Sequence, residues 1–198
     1  MTIEAIHPSP TVPPTKSATL RRWTAKEYLR LAHLGFFNGQ RVELIAGRII
    51  KMSPIYNAHA AVVTRLTRYF SVLPEERFWV RTQATLHLFS NLPEPDLAVV
   101  SGPLSTAGTF PTSALLVIEV SDSTLRFDRG VKLSLYAKAA IPEYWIVNLN
   151  DCSVECLANP ARLAKASIYG QRVLKRGDEL LSPACFPELH FPVAALFK

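Results

Sequence analysis

Apolar and polar positions along the chain change period several times, and each change marks a new element. Thr24-Ala25-Lys26-Glu27 is a capping box, and Tyr28, Leu29, Leu31, Ala32 and Leu34 follow at roughly helical spacing. This predicts a helix starting at Thr24 and ended by Gly35 and Gly39. Val42-Glu43-Leu44-Ile45 and Arg48-Ile49-Ile50-Lys51-Met52 flank Ala46-Gly47, the pattern of a hairpin whose turn uses Gly47 for a positive φ. Pro54 closes that unit. From Tyr56 to Phe70 the period is helical again, with Val62, Val63, Leu66 and Phe70 on one stripe and Arg65 and Arg68 turned away.

Strand patterns follow. Phe78 to Arg81, Thr85 to Phe89 and Asp96 to Val100 read as three strands, separated by a bulge and by the turn signal Ser90-Asn91-Leu92-Pro93. Beyond a loop rich in Gly, Ser, Thr and Pro, Leu115 to Val120 is an almost unbroken apolar run, as expected of a central strand buried on both faces. Asp128 to Ala140 is helical in pattern and stops before Pro142, and Tyr144-Trp145-Ile146-Val147 supplies another central strand. Strand, helix and strand in this order make a βαβ unit with parallel strands. Cys152 to Phe191 reads as short strands and turns, with a last helical turn near Ala194. The expected fold class is α/β (α+β): a mixed β-sheet flanked by helices, preceded by a helix and a hairpin. Residues 1–18, with four prolines, are expected to be a disordered leader, and 19–198 a single domain.

Composition narrows the class. A hydrophobic fraction of 48% against 19% charged residues describes a globular chain with a sizeable interior. No apolar run reaches the roughly 18 residues of a membrane span; the longest, Ala114 to Val120, contains Glu119. No membrane association is expected, and the first residues do not read as a secretory signal. Cys152, Cys156 and Cys185 lack metal-ligand spacing, which points to free thiols in a reducing cytoplasm. Cys152 and Cys156 are expected on one face of a strand as small buried hydrophobes. The net charge of +6 and a pI near 9.4 favour an anionic partner. Between Glu43 and Glu94 the only acids are Glu75 and Glu76, whereas Arg48, Lys51, Arg65, Arg68, Arg77 and Arg81 all fall there. They either form a basic face for a phosphate backbone or stand as scattered, solvated charges.

Two carboxylates then stand out. Asp96 opens one strand, and Glu119 lies inside the next strongly apolar one. A carboxylate in an aliphatic strand costs several kcal/mol unless it is paired, hydrogen-bonded or bound to a metal. Asp96 is its obvious neighbour, but two like charges at close range need a cation between them. Oxygen-only ligation of that kind suits Mg²⁺ or Mn²⁺. Lys132 shares a helical face with Leu135, Tyr136 and Ala139 and so points toward the core. It either snorkels outward, pairs with Asp128, or reaches Glu119, where it would stabilise a phosphate's charge or orient an attacking water. His59 shares the apolar stripe with Val62, Val63 and Leu66 and reads as a core histidine; Tyr144 and Trp145 read as core packing.

A resemblance emerges at these residues. Glu43-Leu44-Ile45-Ala46-Gly47, Met52-Ser53-Pro54 with His59, and Glu94-Pro95-Asp96-Leu97-Ala98-Val99-Val100 come first. Val117-Ile118-Glu119-Val120-Ser121, Asp128-Arg129 with Lys132, and Tyr136 with Pro142-Glu143-Tyr144-Trp145-Ile146-Val147 follow in order. Together they resemble the Uma family, endonucleases of the PD-(D/E)XK restriction-endonuclease superfamily that are numerous in cyanobacteria. The resemblance covers nearly everything after the leader. It implies a restriction endonuclease-like core, Mg²⁺ as cofactor and hydrolysis of DNA phosphodiesters. It also implies Asp96 and Glu119 as metal ligands, with Glu43 matching the acid contributed by the first helix or the strand after it. The lysine of the simple pattern is Ser121 here, and the resemblance moves its role to Lys132. A homodimer is expected if both strands are cut. The alternatives are a nuclease-derived nucleic-acid-binding module that has lost efficient hydrolysis, and a protein-interaction domain whose carboxylates only make internal ion pairs.

Overall fold

The capping box at Thr24 starts the first helix. Its hydroxyl accepts the Glu27 N–H at 3.2 Å, and Glu27 returns the bond to the Thr24 N–H at 3.0 Å. The computed structural model describes residues 20–104, 108–164 and 166–198, so the leader expected over 1–18 lies outside the described residues. Helix α1 is Ala25–His33. Strands β1 (Val42–Ile45) and β2 (Arg48–Lys51) form the expected hairpin, and Ala46 and Gly47 both take positive φ in its two-residue turn (52° and 73°). Residues just before α1 strap this turn: the Trp23 N–H donates to the Gly47 carbonyl at 2.9 Å, and Arg22 donates to that of Ala46.

Helix α2 (Asn57–Phe70) precedes a six-stranded sheet in the order β3-β4-β5-β6-β7-β8. The strands are Phe78–Thr82, Leu97–Ser101, Leu116–Ser121, Glu143–Asn148, Ser153–Arg162 and Ser167–Arg176. Only β5 and β6 run parallel; the other neighbours are antiparallel. The connection between β5 and β6 holds α3 (Leu125–Phe127), a π-helical segment (Asp128–Lys132) and α4 (Leu133–Lys138), which completes the predicted βαβ unit. Two short strands, β9 (Leu180–Leu181) and β10 (Phe191–Pro192), and a 3₁₀ turn (Val193–Leu196) follow.

Alternation along the central strands divides the interior between the two faces of the sheet. Leu116, Ile118, Val120, Trp145 and Val147 pack against α2 and the C-terminal segment. Val117, Tyr144 and Ile146 pack against Leu135, Tyr136 and Ala137 on the crossover side. Glu119 falls on the crossover side by the same alternation. Among the described residues no helix is long and apolar enough to cross a membrane.

Four sequence expectations change. Thr85 to Phe89 is not a strand: only an isolated bridge, Leu88 to Asn91, forms there, because Gln83 (φ 47°) and Phe89 (φ 58°) turn the chain out of extended geometry. The stretch from Cys152 contains a hairpin of two ten-residue strands, β7 and β8, rather than short strands throughout. Cys152 sits in the turn before β7 with φ 49° and is exposed, so it does not share a strand face with the half-buried Cys156. The crossover helix is interrupted by the π turn, which a 3.6-residue pattern does not reveal.

Gly47 tests the strap. A Cβ there would lie 2.5 Å from Arg22 Cβ and 3.3 Å from its Cα, at φ +73°, whereas Gly39 at φ +75° has nothing within 4 Å. Gly47→Ala is expected to lower stability by more than about 1 kcal/mol, and by more than Gly39→Ala. Urea midpoints of the two variants check this; equal midpoints would remove the strap from the account.

Candidate active site

Extending the register Leu97↔Ile118 by one step sets Asp96 opposite Glu119, so the two acids meet at the end of the sheet where β5 finishes. Both are buried, at 5% and 4% exposure. Asp96 Oδ2 accepts the Val120 N–H at 2.9 Å and pairs with His59 Nε2 at 3.1 Å, while Oδ1 accepts from Gln83 Nε2 at 3.2 Å. Burial pushes the Asp96 carboxyl up, but the bond and charge of His59, with the Val120 and Gln83 donors, outweigh it and hold the group below the ordinary aspartate value.

Lys132 is brought in by the π turn and is 4% exposed. Its Nζ donates to Glu119 Oε1 at 2.9 Å and lies 3.4 Å from Glu43 Oε2. Tyr136, one turn on, donates its hydroxyl to the same Glu119 oxygen at 2.6 Å. Glu43, on β1, also accepts the Glu94 N–H at 3.2 Å. The hairpin, two strands and the crossover helix thus supply one cluster, and all four residues singled out in the sequence, Glu43, Asp96, Glu119 and Lys132, lie in it. Lys132 neither snorkels outward nor takes Asp128 as its ion-pair partner. Ser121 is committed elsewhere: its hydroxyl donates to Asp128 Oδ2 at 2.7 Å, as does that of Thr124.

Charges in the cluster do not balance. Glu43, Glu119 and Asp128 surround one ammonium, and Asp96 is buried beside Glu119. Burial raises the Glu119 carboxyl well above its ordinary value; Lys132 pulls it down, and Asp128, Asp96 and Glu43 push it further up. Burial works against the Lys132 ammonium, yet Glu119, Glu43 and Asp128 hold it above the ordinary lysine value. The pair therefore pulls in opposite senses, Lys132 toward its charged form and Glu119 toward its neutral one. The ammonium is the firmer charge, because three carboxylates face it while Glu119 has one cation and three anions about it.

Other buried acids in this fold are better satisfied. Glu155 is ion-paired with Arg129 and Arg172, the latter at 2.6 Å without hydrogen-bond geometry, and Glu143 accepts from Trp145 Nε1 at 2.7 Å and the Ala184 N–H at 2.8 Å. Among the described residues no group of three or more His, Cys, Asp or Glu side chains is arranged to hold a metal ion. Lys132 stands between Glu119 and Glu43, which explains why the acids do not converge on a common point. The donor chemistry nevertheless fits a hard divalent ion, since the acids are oxygen-only and outnumber the fixed cations.

A cavity of about 180 Å³ opens at this end of the sheet, with Asp96, Glu119, Lys132 and His59 in its lining. Such a crevice at the carboxyl end of parallel strands is the usual location of a site in an open α/β sheet. His59 has core spacing, but its ring reaches Asp96; the signal is one polar side chain on an otherwise apolar helical stripe. Tyr136 carried a similar mark, four residues after Lys132. Of the six basic residues between Glu43 and Glu94, Lys51 lines this cavity, Arg65 and Arg68 line a separate hollow, and Arg48 a third.

The mixed sheet, its crossover and the acidic end define a protein of nuclease-like fold. The structure is similar to one described as a "putative nuclease belonging to DUF820 from Anabaena variabilis ATCC 29413", with a TM-score of 0.70, 17% identity, 88% of this chain covered and 97% of that chain. The chain belongs to the Uma2 family, described as "Putative restriction endonuclease", whose model matches residues 25–194. No curated protein matches it.

Lys132→Met leaves Glu43 and Glu119 facing each other without a counter-charge. We expect a loss of about 3–5 kcal/mol at pH 8. The raised value of Glu119 means the folded protein takes up that proton first. Stability from this uptake is full below the ordinary glutamate range and is lost as pH rises through the raised value. Without Lys132 the value rises further, so the deficit against the native protein is expected to shrink at pH 5. Denaturant titrations at both pH values measure it, and an equal deficit would contradict the charge account.

Proposed function

We propose that this protein is a metal-dependent endodeoxyribonuclease that hydrolyses DNA phosphodiester bonds at a PD-(D/E)XK-type site. The observation that carries the reading is the excess of buried carboxylates over cations at Asp96, Glu119, Glu43 and Asp128, in a cavity at the end of β5. A fold with no use for a cation would neutralise those acids, as it does Glu155. Asp96 and Glu119 would hold Mg²⁺ or Mn²⁺, and the ion when bound supplies Lewis-acid polarisation of the phosphoryl oxygens.

The remaining parts act through the chain's own residues. Lys132, kept charged by its acidic neighbours, would stabilise negative charge developing on the phosphate. Tyr136 and Lys132 both bind Glu119 Oε1 and so fix the orientation of that carboxylate. Glu43 holds Lys132 from the other side. His59 and Gln83 fix Asp96.

Cleavage of both strands would use two copies of the site, so the reading includes an isologous homodimer. The free thiols of Cys152, Cys156 and Cys185 support a cytoplasmic setting. In a cleavage assay with Mg²⁺, Mn²⁺ or EDTA, we expect activity with either ion and none with EDTA. Asp96→Ala, Glu119→Ala and Lys132→Ala are each expected to lose about 100-fold or more. Unchanged cleavage in all three would overturn the site. DNA affinity without divalent-ion binding in calorimetry would leave a binding module in place of an enzyme.

A further inference from the structure

The acidic centre has an apolar neighbour. Ile50, Met52, Pro54, Ile55 and Tyr56, from β2 and the loop into α2, line the same cavity as Asp96 and Glu119. Two of them are held out in solvent: Tyr56 is 66% exposed and Ile55 39%. Tyr56 is the residue before α2, and its side chain makes no capping hydrogen bond to the helix. Neither the helix nor the core accounts for a tyrosine and an isoleucine at the mouth of a charged site.

A phosphodiester gains nothing from such a wall, since it is recognised by cations and N–H donors. A nucleobase does, because its flat face stacks on aromatic and apolar side chains whatever its sequence. Within a duplex that face is covered by neighbouring base pairs and is out of reach of a side wall. Cations complete the match: Arg41 and Lys51 line the same cavity, and Arg41 Nη2 is buried without a hydrogen-bond partner among the described residues.

We propose that this site takes an unpaired stretch of DNA, one base stacking on Tyr56 and Ile55 while the adjoining phosphates face Arg41 and Lys132. The proposal rests on the nuclease reading for the phosphate's position and adds the strandedness of the substrate. Each site would then act on one strand.

The test measures binding apart from cleavage. A fluorescein-labelled oligodeoxynucleotide, alone or annealed to its complement, is titrated with the full chain in Ca²⁺, an ion that takes the same oxygen ligands. Single-stranded DNA is expected to bind at least about tenfold more tightly than the duplex, and Tyr56→Ala to weaken single-strand binding by about 5- to 150-fold. Tyr56→Phe, which keeps the ring, is expected to restore it. A 2-aminopurine base in the strand should be quenched by the native protein and by Tyr56→Phe, and not by Tyr56→Ala. Thermal melts of both variants check that the fold is intact, as expected for so exposed a side chain.

Equal or tighter duplex binding, or native single-strand affinity in Tyr56→Ala, overturns the proposal. Ring-dependent single-strand binding without cleavage in Mg²⁺ would overturn the nuclease reading and leave this one standing. Duplex cleavage indifferent to Tyr56 would do the reverse. Absence of any DNA binding would remove both.

Discussion

A lysine ammonium taken out of water is tolerated only where anions surround it, and Lys132 shows how far the fold goes to meet that condition. Glu43 comes from the hairpin, Glu119 from the middle of the sheet and Asp128 from the same crossover segment. Each of these elements has its own hydrophobic reason for existing, and this one charge adds a tie among them. The hairpin in particular shares few apolar contacts with the crossover side, chiefly through Ile45 and Ile50, so the ammonium acts as a clamp between them. The acids collected in this way exceed what one lysine can neutralise. That excess is the feature on which the metal-dependent reading rests.

Position within the sheet explains why the cluster is accessible at all. The parallel pair β5 and β6 requires a crossover, and the chain leaves β5 at Ser121 to build it. The turn between strand and helix opens a crevice there, while both faces farther along are filled by aliphatic and aromatic side chains. Tyr144 and Trp145 belong to that filling, as alternation along a buried strand requires.

Much of this was legible from the residues. The capping box at Thr24, the Ala46-Gly47 turn and the uninterrupted run to Val120 each follow from local chemistry that tertiary packing did not override. Glu119 was conspicuous because a charge inside an aliphatic strand needs a reason, and Lys132 because a cation on an apolar helical stripe does. Other features depended on context. Thr85 to Phe89 has the composition of a strand, but two residues at positive φ bend it into a loop. His59 has the spacing of a core residue, and its contact with Asp96 depends on how α2 packs across the end of the sheet. Among the basic residues before Glu94, the hairpin carries Lys51 and Arg48 to two different hollows and α2 carries Arg65 and Arg68 to a third.

The π turn at Asp128–Lys132 imposes a limit on how this chain can drift. A π turn holds one residue more than an α turn, and each residue of an α-helix accounts for about 100° of rotation. Losing one residue from Arg129 to Val131 would let the segment settle into regular helix. With α4 anchored by Leu135 and Tyr136, the upstream half would swing round, carrying Asp128 off Ser121. Insertions and deletions, tolerated in most connections, are thus confined here to changes that preserve phase, and the spacing between Asp128 and Lys132 becomes a fixed length in any descendant that keeps the cluster.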